Sequence, residues 1–501
     1  MIADELTYRI HNAMGLTPTS EQQQAIAEFC RFVSSRNDRV VMLLRGSAGT
    51  GKTTLAAAMV RAMQSLGQKL VLLAPTGRAA KVFSLYAGSP AYTIHRRIYR
   101  QKSAADMMAA FQLNYNVAQD TLFIVDEASM INNGGGTKEH GAGMTLEFGM
   151  GRLLDDLVEY VYGGRNCRLL LIGDRAQLPP VGEEESPALL TDVMRSYYLR
   201  VFESDLNQVL RQSEESGILW NATRIRNLSP HSALQGAREL LQLPKIRFRG
   251  FPDIHVVTGD ELIDQLGTSY SRAGRDETIV ITRSNKRAII YNRGIRNTVL
   301  DREEELCQGD LLMIVKNNYR LMEEGERRRE DGEKASSVPE FLANGDRAVV
   351  RRVRNEQHLY GFRFADVTLC FPDYDNYELT TTVLLDTLMS EAPALTREQQ
   401  VQLYEGVMSD YADIRFKSER MKKLKEDRYY NALQVKYAYA VTCHKAQGGQ
   451  WAHVYVDQGY MTDDMLTPDY LHWLYTAFTR ATEQLYLVNW PKTQTEDDLP
   501  E

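Results

Sequence analysis

Short, wholly apolar runs recur along the chain, and the early ones each end on a polar, motif-like segment. Val40-Val-Met-Leu-Leu44 leads into Gly46, and Leu70-Val-Leu-Leu73 into Ala74-Pro-Thr76-Gly. Leu122-Phe-Ile-Val125 leads into Asp126-Glu127, and Leu169-Leu-Leu-Ile172 into Gly173-Asp174. Four or five residues without a polar break describe a strand buried on both faces of a parallel sheet. Helical patterns lie between them, at 55–66 and 151–162. This alternation predicts a doubly wound α/β domain, with ligands at the carboxyl ends of its strands. The pattern returns at 278–281, 438–442, 454–456 and 485–488, which predicts a second α/β sheet interrupted by a long insertion. Within the insertion, 348–350, 360–364, 367–371 and 380–384 read as short antiparallel strands of a small β-barrel. The charged stretch 322–337 before them reads as a solvated loop.

Composition narrows this little. At about 150 residues per domain, 501 residues suggest roughly three domains. A hydrophobic fraction of 43% and a charged fraction of 25% exclude wholesale disorder. The net charge of −7 argues against coating nucleic acid by bulk charge and leaves room for a local basic groove. Cys30, Cys167, Cys307, Cys370 and Cys443 are isolated, so no zinc, iron–sulfur or disulfide framework is expected. There is no signal-peptide pattern and no apolar run of about 18 residues, so the expected setting is cytoplasmic.

Gly46-Ser-Ala-Gly49-Thr-Gly51-Lys52-Thr53 follows a predicted strand and opens a predicted helix, the context a P-loop requires. Glycines let consecutive N–H groups point at phosphates, and the helix N-terminus favours an anion. Lys52 would neutralise the β- and γ-phosphates of ATP, Thr53 would ligate Mg²⁺, and Thr54 completes the expected nucleotide contacts. Asp126 would hold Mg²⁺, and Glu127 would orient or deprotonate the attacking water. Gln177, in Gly173-Asp-Arg-Ala-Gln177-Leu-Pro179-Pro180, can both donate to and accept from a γ-phosphate and its water. The glycines of 132–151 form no dinucleotide motif and read as a mobile surface loop.

With these residues in place, the chain resembles the RecD/Dda-like helicases of superfamily 1, the 5′→3′ branch. Leu16-Thr-Pro-Thr-Ser-Glu-Gln22 resembles the Q motif, whose glutamine reads adenine. Ala74 to Lys81, with Thr93-Ile-His95, resembles motif Ia, and Val209-Leu-Arg211-Gln212 motif IV. Thr442-Cys-His444-Lys445-Ala-Gln447-Gly448 resembles motif V, and Tyr475-Thr-Ala-Phe-Thr-Arg480-Ala481 motif VI. Asn344-Gly345-Asp346 is similar to the start of the family's inserted barrel. The resemblance implies two RecA-like domains (1–200; 201–344 with 431–501), an SH3-like barrel at 345–430 and a small pin subdomain within about 96–118. It also implies ATP in the cleft, with Arg211 and Arg480 as fingers on the γ-phosphate. Only about 15 residues precede the Q motif, too few for an additional folded domain.

Arg78, Lys81, Arg96, Arg97, Arg100 and Lys102 fall in a stretch without acids, interleaved with Phe83, Tyr86, Tyr92 and Tyr99. Cations for phosphates and rings for bases are the ingredients of a single-strand track. Thr76, Arg78, His95, Arg96, Tyr99, Thr442, His444 and Lys445 are the expected contacts to single-stranded DNA or a single/double-strand junction. Trp451 reads as core, and the basic stretch 415–428, which also carries acids, as a solvated helix. Rival readings are a nucleotide-gated accessory subunit that does not unwind, and an RNA helicase. A GTPase is disfavoured, because Asn285-Lys286-Arg287-Ala288 lacks the aspartate that guanine recognition needs.

Overall fold

The computed structural model describes residues 2–101, 111–134, 152–209, 215–228, 243–318, 342–462 and 465–496. The first half contains β1 (Val40–Gly46), β2 (Lys69–Ala74), β3 (Ala91–Thr93), β4 (Tyr99–Gln101), β5 (Phe111–Leu113), β6 (Thr121–Val125), β7 (Arg168–Gly173) and β8 (Arg200–Leu206). Six of these form a parallel sheet in the order β3-β2-β6-β7-β1-β8. The central strands are apolar throughout because both their faces are covered. In β1, Val40, Met42 and Leu44 enter the core on one face, and Val41 and Leu43 the core on the other. Every strand ends at the same edge, so Gly46, Thr76, Asp126 and Asp174 converge there.

β8 corrects the expected boundary at residue 200. It pairs with β1 from Val40↔Arg200 to Gly46↔Leu206, so the first lobe continues to Leu206. Arg45 secures it by donating to Asp205 Oδ1 and Glu203 Oε2, each at 2.7 Å. As an edge strand β8 exposes Arg200, Glu203 and Asp205, so it leaves no apolar run in the sequence.

The second half adds β9 (Ile254–Val257), β10 (Thr278–Thr282), β11 (Leu311–Ile314), β12 (Arg347–Leu359), β13 (Phe362–Phe371), β14 (Tyr377–Leu384), β15 (Leu433–Tyr437), β16 (Ala440–Thr442), β17 (Trp451–Asp457) and β18 (Ala481–Val488). A second parallel sheet runs β16-β10-β17-β18-β9, and β11 to β15 close a five-stranded barrel. The molecule is therefore two RecA-like α/β lobes with a small inserted barrel. The barrel differs from the expected 345–430 because a sheet closes only when its edges pair. β11 before that span and β15 after it supply the closing pair. The two segments expected at 360–364 and 367–371 are one strand, β13. Barrel and second sheet share one continuous core.

The helices Arg397–Asp410 and Lys417–Glu426 pack on a smaller cluster around Phe362, Phe364 and Leu403. β4 and β5 pair antiparallel within the expected pin, in the register Tyr99↔Leu113. The loop expected at 322–337, Arg211, Lys102 and most of 132–151 lie outside the described residues. Among the described residues no helix is long and apolar enough to cross a membrane.

Candidate functional site

At the end of β1 the chain turns through 47–51 into the helix Lys52–Ser65. Gly49 and Gly51 take φ of 77° and 74°, a region glycine enters without a steric penalty. A Cβ on Gly46 would stand 3.1 Å from Leu206 Cβ, so glycine lets the loop close against β8. Lys52 Nζ donates to the Gly46 carbonyl at 2.9 Å, which folds the ammonium over the loop. Thr53 is half-buried beside it and Thr54 is exposed. Gln22, expected at the adenine, bonds within the protein. Its amide nitrogen donates to the Thr50 carbonyl at 3.0 Å, and its oxygen accepts from Thr19 N–H at 3.0 Å. Thr19 and Gln22 form a capping box, so Gln22 ties that helix end to the P-loop.

Asp126 and Glu127 leave β6 at the same edge. Glu127 has φ of 52°, a strained conformation for a residue with a side chain, and its N–H donates to Asp126 Oδ1 at 2.9 Å. Burial raises the Asp126 pKa and Glu127 adds to the rise, while the Lys52 charge pulls it back. Glu127 Oε2 is buried with no hydrogen-bond partner. Mg²⁺ characteristically takes one or two carboxylates together with phosphate oxygens and waters. Asp126 and the Thr53 hydroxyl fit that demand, and the orphaned Glu127 oxygen beside them is an open acceptor for a water. No cluster of three or more His, Cys, Asp or Glu exists among the described residues, so the nucleotide itself would have to complete the coordination.

The second lobe meets this edge along the helix Pro468–Phe478. Three of its residues, spaced to share one face, engage the 174–178 strap of the first lobe. His472 Nδ1 donates to the Ala176 carbonyl at 2.9 Å, and Thr476 Oγ1 accepts from Leu178 N–H at 2.8 Å. Tyr475 Oη accepts from Ala48 N–H of the P-loop at 2.8 Å and donates to Asp174 Oδ2 at 2.5 Å. Gln447 donates to the Leu178 carbonyl at 2.7 Å. The helix Gly217–Asn227 covers the loop as well, since a Cβ on Gly49 would stand 3.2 Å from Leu219. Arg226 on this helix lies close enough for its charge to act on Tyr475.

Gln177 is buried in the strap, and its Oε1 has no partner. Arg480 is not presented to the P-loop. It is 3% exposed and donates to Thr476 O, Gly449 O and Thr479 Oγ1 within its own lobe. Carbonyls left open at the helix end are ready acceptors for a guanidinium. Tyr475 and Asp174 lie inside the 475–481 and 173–180 segments, where the sequence alone assigns them no role. Their signal is the 472/475/476 spacing, which places three polar side chains on one face of a mostly apolar helix.

A cavity of about 620 Å³ opens where both lobes and the barrel meet. Thr76, Arg78, His95, Tyr99, His444 and Lys445 all line it. Arg96 and Thr442 do not. Arg96 rests over the Tyr92 ring, and Thr442 precedes the short helix Cys443–Ala446 that carries His444 and Lys445. Thr76 Oγ1 accepts from Ala79 N–H, and glycine at 448 (φ 72°) lets the second lobe approach it. Trp451 is core, 1% exposed, yet it also lines the groove. Arg78 of the first lobe lies 4.3 Å from its ring centroid and Arg347 of the barrel 5.8 Å, so one ring joins three domains. Burial lowers Arg78 to about 10, Lys445 to about 8 and His95 to about 4. Of the interleaved aromatics, Phe83 and Tyr99 are buried, whereas Tyr86 and Tyr92 are exposed.

Comparison with known proteins agrees with this division. A family model described as an AAA domain matches residues 17–136, and one for the UvrD-like helicase C-terminal domain matches 437–488. The ATP-dependent RecD2 DNA helicase of Deinococcus radiodurans is 33% identical over 142 residues, which is 28% of this chain and 16% of that protein. The ATP-dependent DNA helicase dda of Enterobacteria phage T4 is 23% identical over 307 residues, 59% of this chain and 60% of that protein. The matches thus cover less than two thirds of either relative. A Pif1 helicase from Bacteroides, solved with ADP-AlF3 and ssDNA, is 14% identical with a TM-score of 0.45, over 97% of this chain and 95% of that one. The AAA-domain match falls on the first lobe and the UvrD-like helicase C-terminal match on the second, and over the shared stretches the chain is similar to RecD2 and dda DNA helicases.

Proposed function

We propose that the protein is an ATP-dependent DNA helicase that moves 5′→3′ along single-stranded DNA and acts at single/double-strand junctions. The observation that carries this reading is the hydrogen bond from Ala48 N–H of the P-loop to Tyr475 of the opposite lobe. A phosphate site touched by both lobes can convert nucleotide turnover into lobe movement, and the strand groove lies between the same lobes.

In this reading the amides of 47–51 and Lys52 hold the phosphates. Thr53 and Asp126 hold Mg²⁺, which neutralises charge on the phosphates when bound. Glu127 orients and deprotonates water through its open oxygen. Gln177 senses the γ-phosphate. Arg211 and Arg480 are the proposed fingers, and Arg480 must exchange its intralobe acceptors for phosphate oxygens. Charge-assisted hydrogen bonds favour that exchange. Thr76, Arg78, His95, Arg96, Tyr99, Thr442, His444 and Lys445 track the strand. The β4–β5 pair is the candidate pin.

Duplexes carrying a 5′ or a 3′ single-stranded tail provide the test. ATP-dependent separation of the 5′-tailed duplex alone supports the full reading. Separation of the 3′-tailed one reverses the polarity. Strand-stimulated hydrolysis without separation of either makes the chain an accessory translocase. Preference for RNA tails changes the substrate.

A further inference from the structure

Tyr475 is buried to 2% exposure, and its hydroxyl has a definite partner on each side. It accepts from Ala48 N–H at 2.8 Å and donates to Asp174 Oδ2 at 2.5 Å. Both partners belong to the first lobe and Tyr475 to the second, so one hydroxyl stitches the lobes together at the mouth of the P-loop. The helix that carries it is fixed beside it by Thr476 and His472. Burial and the Asp174 charge push the phenol well above its ordinary range, so it stays protonated and keeps donating. Donation to a carboxylate polarises the phenol and makes its oxygen a better acceptor for Ala48.

Ala48 N–H is one of the loop amides that the phosphate reading assigns to an anion. A phosphate oxygen is charged and a phenol is not, so the phosphate is the stronger acceptor. The two compete for one proton donor. We infer that Tyr475 is a positioning residue that competes with nucleotide phosphate for the Ala48 amide: phosphate binding releases this stitch between the lobes, and phosphate departure restores it. Asp174 holds the released hydroxyl in place, so the stitch can re-form. This goes beyond the proposed function by naming a residue through which nucleotide occupancy reaches the second lobe, and it rests on that reading only for the phosphate in the P-loop.

The inference has a sign that a merely structural tyrosine would not give. In Tyr475→Phe the Ala48 amide loses its partner in the nucleotide-free protein alone, so nucleotide should bind more tightly. The expected size is one neutral hydrogen bond, about fivefold. Full-length protein is titrated with fluorescent mant-ADP, and ATP turnover is measured with and without oligo(dT). Y475F should bind mant-ADP about fivefold tighter and lose most of its oligo(dT) stimulation, because the lobes no longer respond to the phosphate. Thr476→Ala removes a neighbouring bond across the same seam without touching the P-loop, and it should leave mant-ADP affinity at the wild-type value. If Y475F does not fold, Asp174→Asn serves instead. It weakens the polarisation of the phenol and should shift affinity in the same direction by a smaller factor. Unchanged or weaker mant-ADP binding in the folded variant overturns the inference, as does equal tightening in T476A. Failure of the wild-type protein to bind mant-ADP would instead overturn the proposed function.

Discussion

The nucleotide cleft and the strand groove lie between the same two lobes and are built in opposite ways. The cleft is held by short hydrogen bonds with fixed donors: Ala48 to Tyr475, Tyr475 to Asp174, Leu178 to Thr476 and His472 to Ala176. The groove is lined by cations resting on rings and carbonyls. Arg78 lies over Trp451 and on the Gln450 carbonyl, and Arg347 lies near the same ring. A hydrogen bond specifies direction to within a fraction of an ångström, whereas a cation on a ring face is held loosely and gives way to a stronger anion. The cleft suits one defined ligand in one pose. The groove suits a repeating backbone that must be gripped and released.

The largest effects should therefore come from single atoms in the cleft. Lys52→Ala should reduce oligo(dT)-stimulated hydrolysis by about a thousandfold, the scale of losing a preorganised charge on the transferring group. Its thermal unfolding should stay close to that of the wild type, because the hydrogen bond lost is to the Gly46 carbonyl of the same loop. Residual turnover within tenfold of wild type would contradict the assignment. Glu127→Gln should cut kcat by about a hundredfold or more and still bind mant-ADP, since the loss falls on proton transfer and not on phosphate binding. Loss of binding in that variant would move Glu127 from the water to the phosphates.

In the groove the hub should matter for the fold and the cations for the ligand. Trp451→Ala removes a fully buried ring between three domains and should destabilise the protein by about 3–5 kcal/mol, read from denaturant midpoints. Arg78→Ala keeps the ring. It should weaken oligo(dT) binding by about tenfold and lower the salt dependence of that binding by about one charge. Equal stability losses in the two variants would erase the distinction between hub and ligand contact.

The same contrast explains what could be read in advance. Gly46 to Thr53, Asp126-Glu127 and the four central strands were legible because each depends on a local requirement: a left-handed turn, a strand end, burial on both faces. β8 was not legible, since an edge strand with residues such as Glu203 and Asp205 pointing out leaves no apolar run. The barrel's true limits were hidden as well. β11 and β15 close it by pairing with each other across more than a hundred positions, as in Leu312↔Tyr437. Gln22 and Arg480 sit where their motifs place them, but their partners, Thr50 and Gly449, are set by tertiary packing. Tyr475 reverses that case. Its role depends on Ala48, more than four hundred residues away in sequence, and no local pattern encodes that contact.

The smallest expected effect probes Asp346, the one acid among the described residues of the groove wall. Asp346 accepts from Tyr374 OH at 2.8 Å and from Ala343 N–H at 2.7 Å, and burial pushes it up to about 7. Its ordinary value is 3.8. The native state therefore holds this proton more tightly than the unfolded chain, and its contribution to stability falls as pH rises from about 4 to about 7. Over the upper part of that range a new negative charge appears in the cavity proposed to hold strand phosphates. Oligo(dT) affinity should therefore drop from pH 6 to pH 8 by a few-fold, the scale of one charge pair in a wet site. Lys445, lowered to about 8, loses its charge at the top of the same range and pulls affinity the same way. Asp346→Asn removes only the component centred near 7. It should bind more tightly than wild type at pH 8 and equally at pH 6, with the Lys445 component left intact. Parallel profiles for the two proteins would mean that the carboxyl never ionises against the strand, and that the groove is tuned by its cations alone.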